Sequence, residues 1–245
     1  MKITQYKKIK GFSLVEMAIV LVILGFVLAA LLLPLQAQRE QLFQSQTENT
    51  LEIARKALLG YAQSQGRLPC PATAASNGLQ DPLAGGACTV TVGFLPAVTL
   101  GIQPVDIQGF ALDAWNNRIR YAVTQVNTPA ILPATPDFTT ANKASNVGIT
   151  NLSPDLQVCS DAANCSVASY LVNNAVAVIF STGRNFSQTA GIDETSNLLA
   201  SPPNPRFFSR TPTASTAAEG EFDDIVTWIS PFVLYNAMLQ AGQLH

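Results

Sequence analysis

From Met17 to Leu33 the chain carries no charged residue. Counted from Phe12, the apolar run is long enough, at about 1.5 Å per residue, to cross a hydrocarbon core of about 30 Å, and it predicts a membrane helix. A basic leader containing Lys2, Lys7, Lys8 and Lys10 precedes the run, followed by Gly11-Phe12, and one carboxylate, Glu16, sits near its start. A carboxylate at that depth is costly in a bilayer and implies a partner charge.

Three readings of this N-terminus compete. A secretory signal peptide has a basic n-region and a passable small-residue site at Leu35-Gln36-Ala37 before Gln38, but the run exceeds the usual length of about 7–15 residues and Glu16 spoils its start. A plain membrane anchor accounts for the length and, by the positive-inside rule, for the lysines, yet leaves Glu16 without a function. The third reading is a segment processed on the cytoplasmic side of its own apolar run.

Lys10-Gly11-Phe12-Ser13-Leu14-Val15-Glu16-Met17-Ala18-Ile19-Val20-Leu21-Val22-Ile23-Leu24-Gly25 resembles the class III signal of type IV prepilins and type II secretion pseudopilins. The resemblance implies cleavage between Gly11 and Phe12 by a prepilin peptidase that also N-methylates Phe12, the apolar segment remaining on the mature chain. It implies a non-enzymatic minor pilin or pseudopilin, single-pass in the bacterial inner membrane with its N-terminus cytoplasmic and its head periplasmic. From there it would be drawn into a type IV pilus or a type II secretion-type filament. The partners so implied are other pilin or pseudopilin subunits, the prepilin peptidase/methyltransferase, an inner-membrane platform protein with its assembly ATPase, and membrane lipid.

The chemistry of the residues agrees. Cleavage would create an α-amine on Phe12, with an ordinary pKa of roughly 7.7–8.0, at about the depth where Glu16 of a neighbouring chain needs a cation. Cutting also removes the four leader lysines, leaving ten of the 14 basic residues against 16 acidic ones, a side-chain net charge near −6. That balance argues against a nucleic-acid-coating protein.

Gly25 and Pro34 are expected to interrupt or kink the helix, since an interior proline removes a hydrogen bond at a cost of about 3 kcal/mol. In pilins such a stretch unwinds on assembly, although Pro34 lies one residue later than is usual for major pilins. Beyond it Leu35, Leu42, Phe43, Leu51, Ala54, Leu58 and Tyr61 or Ala62 recur at roughly helical spacing, and Gly66 with Leu68-Pro69 ends the helix. The resulting division is a leader over 1–11, a transmembrane and assembly helix over 12–35, the amphipathic half of the same helix over 36–66, and an extracytoplasmic head over 67–245. The fold class expected is α+β, a pilin-like lollipop: a long N-terminal helix packed on a small antiparallel sheet with long loops and a short C-terminal helix.

Within the head, four cysteines allow three pairings that sequence does not choose between; nearest-neighbour bonding, Cys70–Cys88 and Cys159–Cys165, is the expectation. The stretch Asp113-Ala114-Trp115-Asn116-Asn117-Arg118-Ile119-Arg120-Tyr121 resembles the Asp-x-Trp-Gly-x-x-Tyr-x-Tyr turn and strand of pseudopilin heads, with Asn116 in place of glycine at a left-handed position. Strands are predicted at Arg118–Thr124, Ala175–Ser181 and Asp224–Ile229. Ser230-Pro231 then opens a helix to about Gln240, stopped by Gly242. Residues 127–170 and 186–221 read as long loops.

Some pseudopilin heads bind calcium, and Asp223 and Asp224, with Glu219 and Glu221 nearby, are the candidate ligands against a default of solvated acids. No other metal or cofactor is expected. Arg118, Arg120 and Arg184 are expected in structural salt bridges, and Trp115 and Trp228 in the core. The alternative function is a membrane-anchored or secreted extracytoplasmic enzyme or binding protein with an ordinary signal or anchor segment. Against an enzyme, the sole histidine is His245, at a frayed end unsuited to a catalytic array.

Overall fold

The computed structural model describes Gly11 and residues 13–162, 165–166, 169–186, 191–198 and 205–245, with the backbone alone for residues 29–37. The first element, α1, runs from Leu14 to Gln65. It stops where Gly66 takes φ +65°, a value that L side chains rarely adopt. The chain divides into two units, Met1–Phe43 and Gln44–His245, with the boundary inside α1.

In the second unit, α1 is followed by β1 (Val92–Phe94), α2 (Ala97–Leu100), β2 (Arg120–Val123), α3 (Lys143–Val147), β3 (Leu156–Cys159) and β4 (Tyr170–Ala175). Then come β5 (Ala177–Ser181), α4 (Ile192–Leu198), β6 (Arg206–Phe208), β7 (Ile225–Ile229) and α5 (Pro231–Gln240). One sheet has the order β1-β2-β5-β7 and is antiparallel throughout. The α+β class, the long first helix and the short last one are as the sequence predicts.

Both faces of this sheet are covered. Leu51, Ala54, Leu58 and Ala62 of α1 bury against Tyr121, Val123, Ile179 and Ile229 on one face. Ala122, Val178 and Phe180 point the other way, onto Leu156, Val158 and Phe207. Strand β5 lies between the two layers with all five residues buried, which is why it reads as a continuous apolar run rather than an alternating one. Truncating a side chain such as Leu58 to Ala costs about 2–5 kcal/mol at a site of this kind. Of the predicted stripe, Leu42 is exposed and Ala62, not Tyr61, enters the core.

In the second sheet, ordered β4-β3-β6, β3 and β6 lie in stretches that read as loops, and β4 fills the gap between the loop expected to 170 and the strand expected from Ala175. Strand β3 is four residues long, and its neighbour β6, which pairs with it in parallel, is about fifty residues further on. Short strands whose partners are distant leave little local pattern. Two further devices hold loops that sequence reading left open. The disulfides are Cys70–Cys88 and Cys159–Cys165, with Cα–Cα separations of 5.3 and 5.6 Å. Lys143, fully buried at the start of α3, donates from Nζ to the carbonyls of Thr128 (3.2 Å), Pro133 (2.6 Å) and Ile131.

The turn before β2 is built as its sequence implies. Asp113 accepts from the amides of Trp115 (2.9 Å) and Asn117 (2.8 Å) and from Ser181 Oγ (2.6 Å), while Asn116 takes φ +67°. Thr47 of α1 accepts the Ala114 amide at 3.2 Å, tying this turn to the helix. Trp115 and Trp228 are half-buried rather than fully in the core.

Candidate functional site

Two regions carry chemistry. At the N-terminus, Gly11 is exposed and outside any regular element, and Phe12 lies outside the described residues. Helix α1 then opens on a reciprocal pair: the Ser13 amide donates to Glu16 Oε2 at 2.8 Å, and the Glu16 amide donates to Ser13 Oγ at 3.2 Å. This is a capping box, in which the Ser and Glu three residues apart satisfy two of the orphan donors at a helix start. Sequence reading placed Glu16 but passed over Ser13, although the Ser-x-x-Glu spacing was the available signal. The carboxylate therefore has a partner inside its own chain, an amide rather than a cation.

From Leu14 to Leu28 every large apolar side chain of α1 is exposed, Phe26 to 73% and Leu14 to 88%. A helix apolar all round is a helix for an apolar environment. Among the described residues no helix is long and apolar enough to cross a membrane. Helix α1 continues through Gly25 and Pro34 without a break; a Cβ on Gly25 would meet nothing within 4 Å, and the Pro34 side chain is outside the description.

Residues 6–32 match the family model of the prokaryotic N-terminal methylation motif. The chain carries a class III prepilin signal. Such a signal is typical of type IV pilins and pseudopilins; it implies processing by a prepilin peptidase, anchoring in the inner membrane before assembly, and assembly with pilins. The match spans Gly11, Phe12 and Glu16 and stops short of the head. Comparison with curated proteins and with solved structures gives no match. The prepilin signal thus carries the family resemblance, and the head must be read from its own geometry.

In the head, carboxylate oxygens of Glu194, Asp223 and Asp224 lie within 4.8 Å of one another. Glu194 comes from α4, and the two aspartates from the entry to β7. Glu194 Oε1 accepts the Asp223 amide (2.8 Å) and its carboxylate the Asn185 side-chain amide (3.2 Å). Asp224 Oδ2 accepts from Asn197 (2.7 Å), and Asp223 Oδ2 from the Arg184 amide (3.0 Å). Asp223 Oδ1 is buried without a hydrogen-bond partner among the described residues. Glu194 replaces the two glutamates expected here. Glu221 faces Arg184 at 3.4 Å, and exposed Glu219 lines a separate cleft of about 360 Å³ with Asp193 and Arg210. Arg210 is fully engaged there, with Asp193 (2.7 Å) and Thr213 (2.8 Å).

Hard carboxylate oxygens, one of them an orphan, fit a calcium ion, which Glu194, Asp223 and Asp224 would hold and which would supply the missing positive charge. Without it, protons are the compensation. Burial, followed by the charges of Glu194 and Glu221, pushes Asp223 up to about 6. Burial, reinforced by Glu194 and Asp223, pushes Asp224 up to about 8.

Carboxyl groups with raised pKa values contribute stability that is fully present below the unfolded value, near pH 4, and lost as pH rises through about 6 and about 8. In chelator, the melting temperature is therefore expected to fall between about pH 5 and about pH 8.5. The Asp224→Asn chain should show a flatter profile and melt higher than wild type at the alkaline end. Melting curves across this range check the expectation, and identical profiles for the two chains would refute it. Loss of the wild-type slope in millimolar calcium would mark ion binding by the same carboxylates.

Ser145 Oγ lies 3.0 Å from Nδ1 and 3.3 Å from Nε2 of His245. The contact is exposed and nearly equidistant from both ring nitrogens, and among the described residues no carboxylate orients the ring. It lacks the directed nucleophile, base and orienter of a hydrolase.

Proposed function

We propose that the protein is a non-enzymatic minor pilin or pseudopilin: a subunit cut between Gly11 and Phe12, methylated on the new Phe12 amine, and held in the inner membrane with its head outside the cytoplasm. A platform protein and a cytoplasmic ATPase then draw it into a filament with other pilin-like subunits. The observation that carries this reading is the methylation-motif match over residues 6–32. The exposed apolar turns from Leu14 to Leu28 support it, because they need lipid before assembly and neighbouring helices after it. Within the apolar first half of α1, Gly25 and Pro34 are the points where local melting costs least, for lack of a side chain at one and of an amide donor at the other.

In this reading Glu16 has two successive partners. Its carboxylate holds the Ser13 amide in the free subunit and takes the methylated amine of the next chain on docking, which sets the axial register. The head's disulfides and long connections, and its size against a major pilin, favour a minor component over the abundant shaft protein. Mass spectrometry of the membrane-extracted protein tests the processing step. A mature chain beginning at N-methyl-Phe12 is the expected result; a chain beginning at Gln38 would restore an ordinary signal peptide.

A further inference from the structure

In the four-stranded sheet the pairs Phe94↔Arg120, Arg120↔Phe180 and Phe180↔Val226 form one cross-strand row. Directly opposed residues share a face, here the one turned toward the second sheet. The neighbouring row on that face is Val92, Ala122, Val178 and Trp228. Arg120 is the one charged residue in either row.

Sequence reading placed Arg118, Arg120 and Arg184 together as salt-bridge partners. Arg118 does pair with Asp106 at 2.9 Å, and Arg184 faces Glu221 at 3.4 Å. Among the described residues Arg120 has no such partner. Its Nε is buried without a hydrogen bond, and its guanidinium rests over the Phe94 ring at 4.9 Å. Among the described residues, every other lysine and arginine between 44 and 245 meets a carboxylate, a side-chain amide or a backbone carbonyl.

Arg120 and Phe94 are both half-buried, so the guanidinium has lost part of its hydration without gaining an acceptor in return, and a charge so placed gains from an anion. An aromatic face compensates part of the charge and leaves the two terminal Nη groups, which unlike Nε are not buried, as a fork that matches a carboxylate. Arg118 touches the same ring at 5.7 Å but pairs with Asp106, so among the described residues Arg120 is the one cation of the patch without an acidic partner. One positive charge matches one carboxylate. Nucleic acid is held by many basic groups, and the acids of this chain outnumber its bases.

We propose that Arg120 and the face of Phe94 form a recognition site for one acidic side chain, an aspartate or glutamate presented by a partner protein. The site rests on the geometry of the head and stands independently of N-terminal processing.

The test uses the full-length chain in detergent micelles, labelled with ¹⁵N-arginine. It is titrated in parallel with a blocked glutamate carrying one free carboxylate, with inorganic phosphate and with a short oligothymidylate. The expected result is a saturable shift of the Arg120 Nε–H resonance with the carboxylate, weaker with the other two probes. The binding isotherm should disappear in Arg120→Gln and persist in Arg206→Gln. No saturable shift, or tighter binding of phosphate or oligonucleotide, would overturn the proposal. An Arg120→Leu chain should melt at or above the wild-type temperature, since it removes an unpaired charge from an apolar row. A lower melting temperature would mean that the fold already compensates the guanidinium, and would overturn the proposal as well.

Discussion

Replacing Glu16 with Gln is expected to leave α1 capped and the protein in the membrane, yet to abolish its incorporation into a filament. The prediction separates two roles that one carboxylate combines. As a capping group, Glu16 only has to offer an acceptor to the Ser13 amide, now 2.8 Å away, and glutamine at this position serves as well as glutamate. As a docking group it has to meet a protonated amine, and a neutral amide attracts that amine far less than an anion does. Glu16→Ala removes both roles, and Ser13→Ala removes only its half of the cap. The expected order is therefore Gln and Ala equally defective in assembly, with Ser13→Ala near normal. Fractionation for membrane insertion and shear-release assays for filament content read the two properties separately. Normal assembly of the Gln chain would assign Glu16 to the cap and end the axial-pairing mechanism.

The second large effect lies in the head. Lys143→Met is expected to lower its stability by about 3 kcal/mol, because it removes from the fully buried position 143 the one donor shared by the carbonyls of Thr128, Ile131 and Pro133. The same loop is held by Asp137, also fully buried, which accepts from the Thr128 amide (3.0 Å) and hydroxyl (2.7 Å). The loop thus hangs on two fully buried polar side chains, each satisfying backbone groups of the loop, and removal of either is costly. For a unit of this size the loss corresponds to a fall in Tm of roughly 6–12 °C. Lys143→Gln, which keeps two N–H donors without the charge, should lie between Met and wild type. A Met chain melting within about 2 °C of wild type, less than 1 kcal/mol on the same scale, would show that water replaces the ammonium.

Elements with a strong local pattern were legible in advance. The end of α1 at Gln65, the apolar run of β5, the strand β7 and the Ser230-Pro231 opening of α5 all lie within a residue or two of expectation. Each depends on neighbours in the chain: a glycine past the last helical turn, a proline at the first, β-branched residues in sequence. The capping box was legible in the same way and was missed only because Glu16 was weighed against lipid and not against Ser13.

The second sheet was not legible, and its consequences for the head's chemistry were hidden with it. Strand β4 reads Tyr-Leu-Val-Asn-Asn-Ala, with only its last residue fully buried, and β6 has three residues; neither resembles a strand until β3 lies between them. Helix α4, seven residues in a stretch rich in polar groups, delivers Glu194 to Asp223 and Asp224 across about thirty positions of sequence. Glu219 and Glu221, nearer in sequence, turn elsewhere.

Local order along the chain is enough to specify the N-terminal device. A basic leader, a Gly-Phe junction, a capped helix start and an uncharged apolar run are all properties of consecutive residues, and a processing enzyme or a bilayer meets them in that form. Which charges end up matched is a different kind of fact. Arg118 and Arg120 stand two residues apart with the same intrinsic chemistry. One finds Asp106 and, among the described residues, the other finds the Phe94 ring and no acid, because cross-strand register and loop closure decide what lies beside each guanidinium.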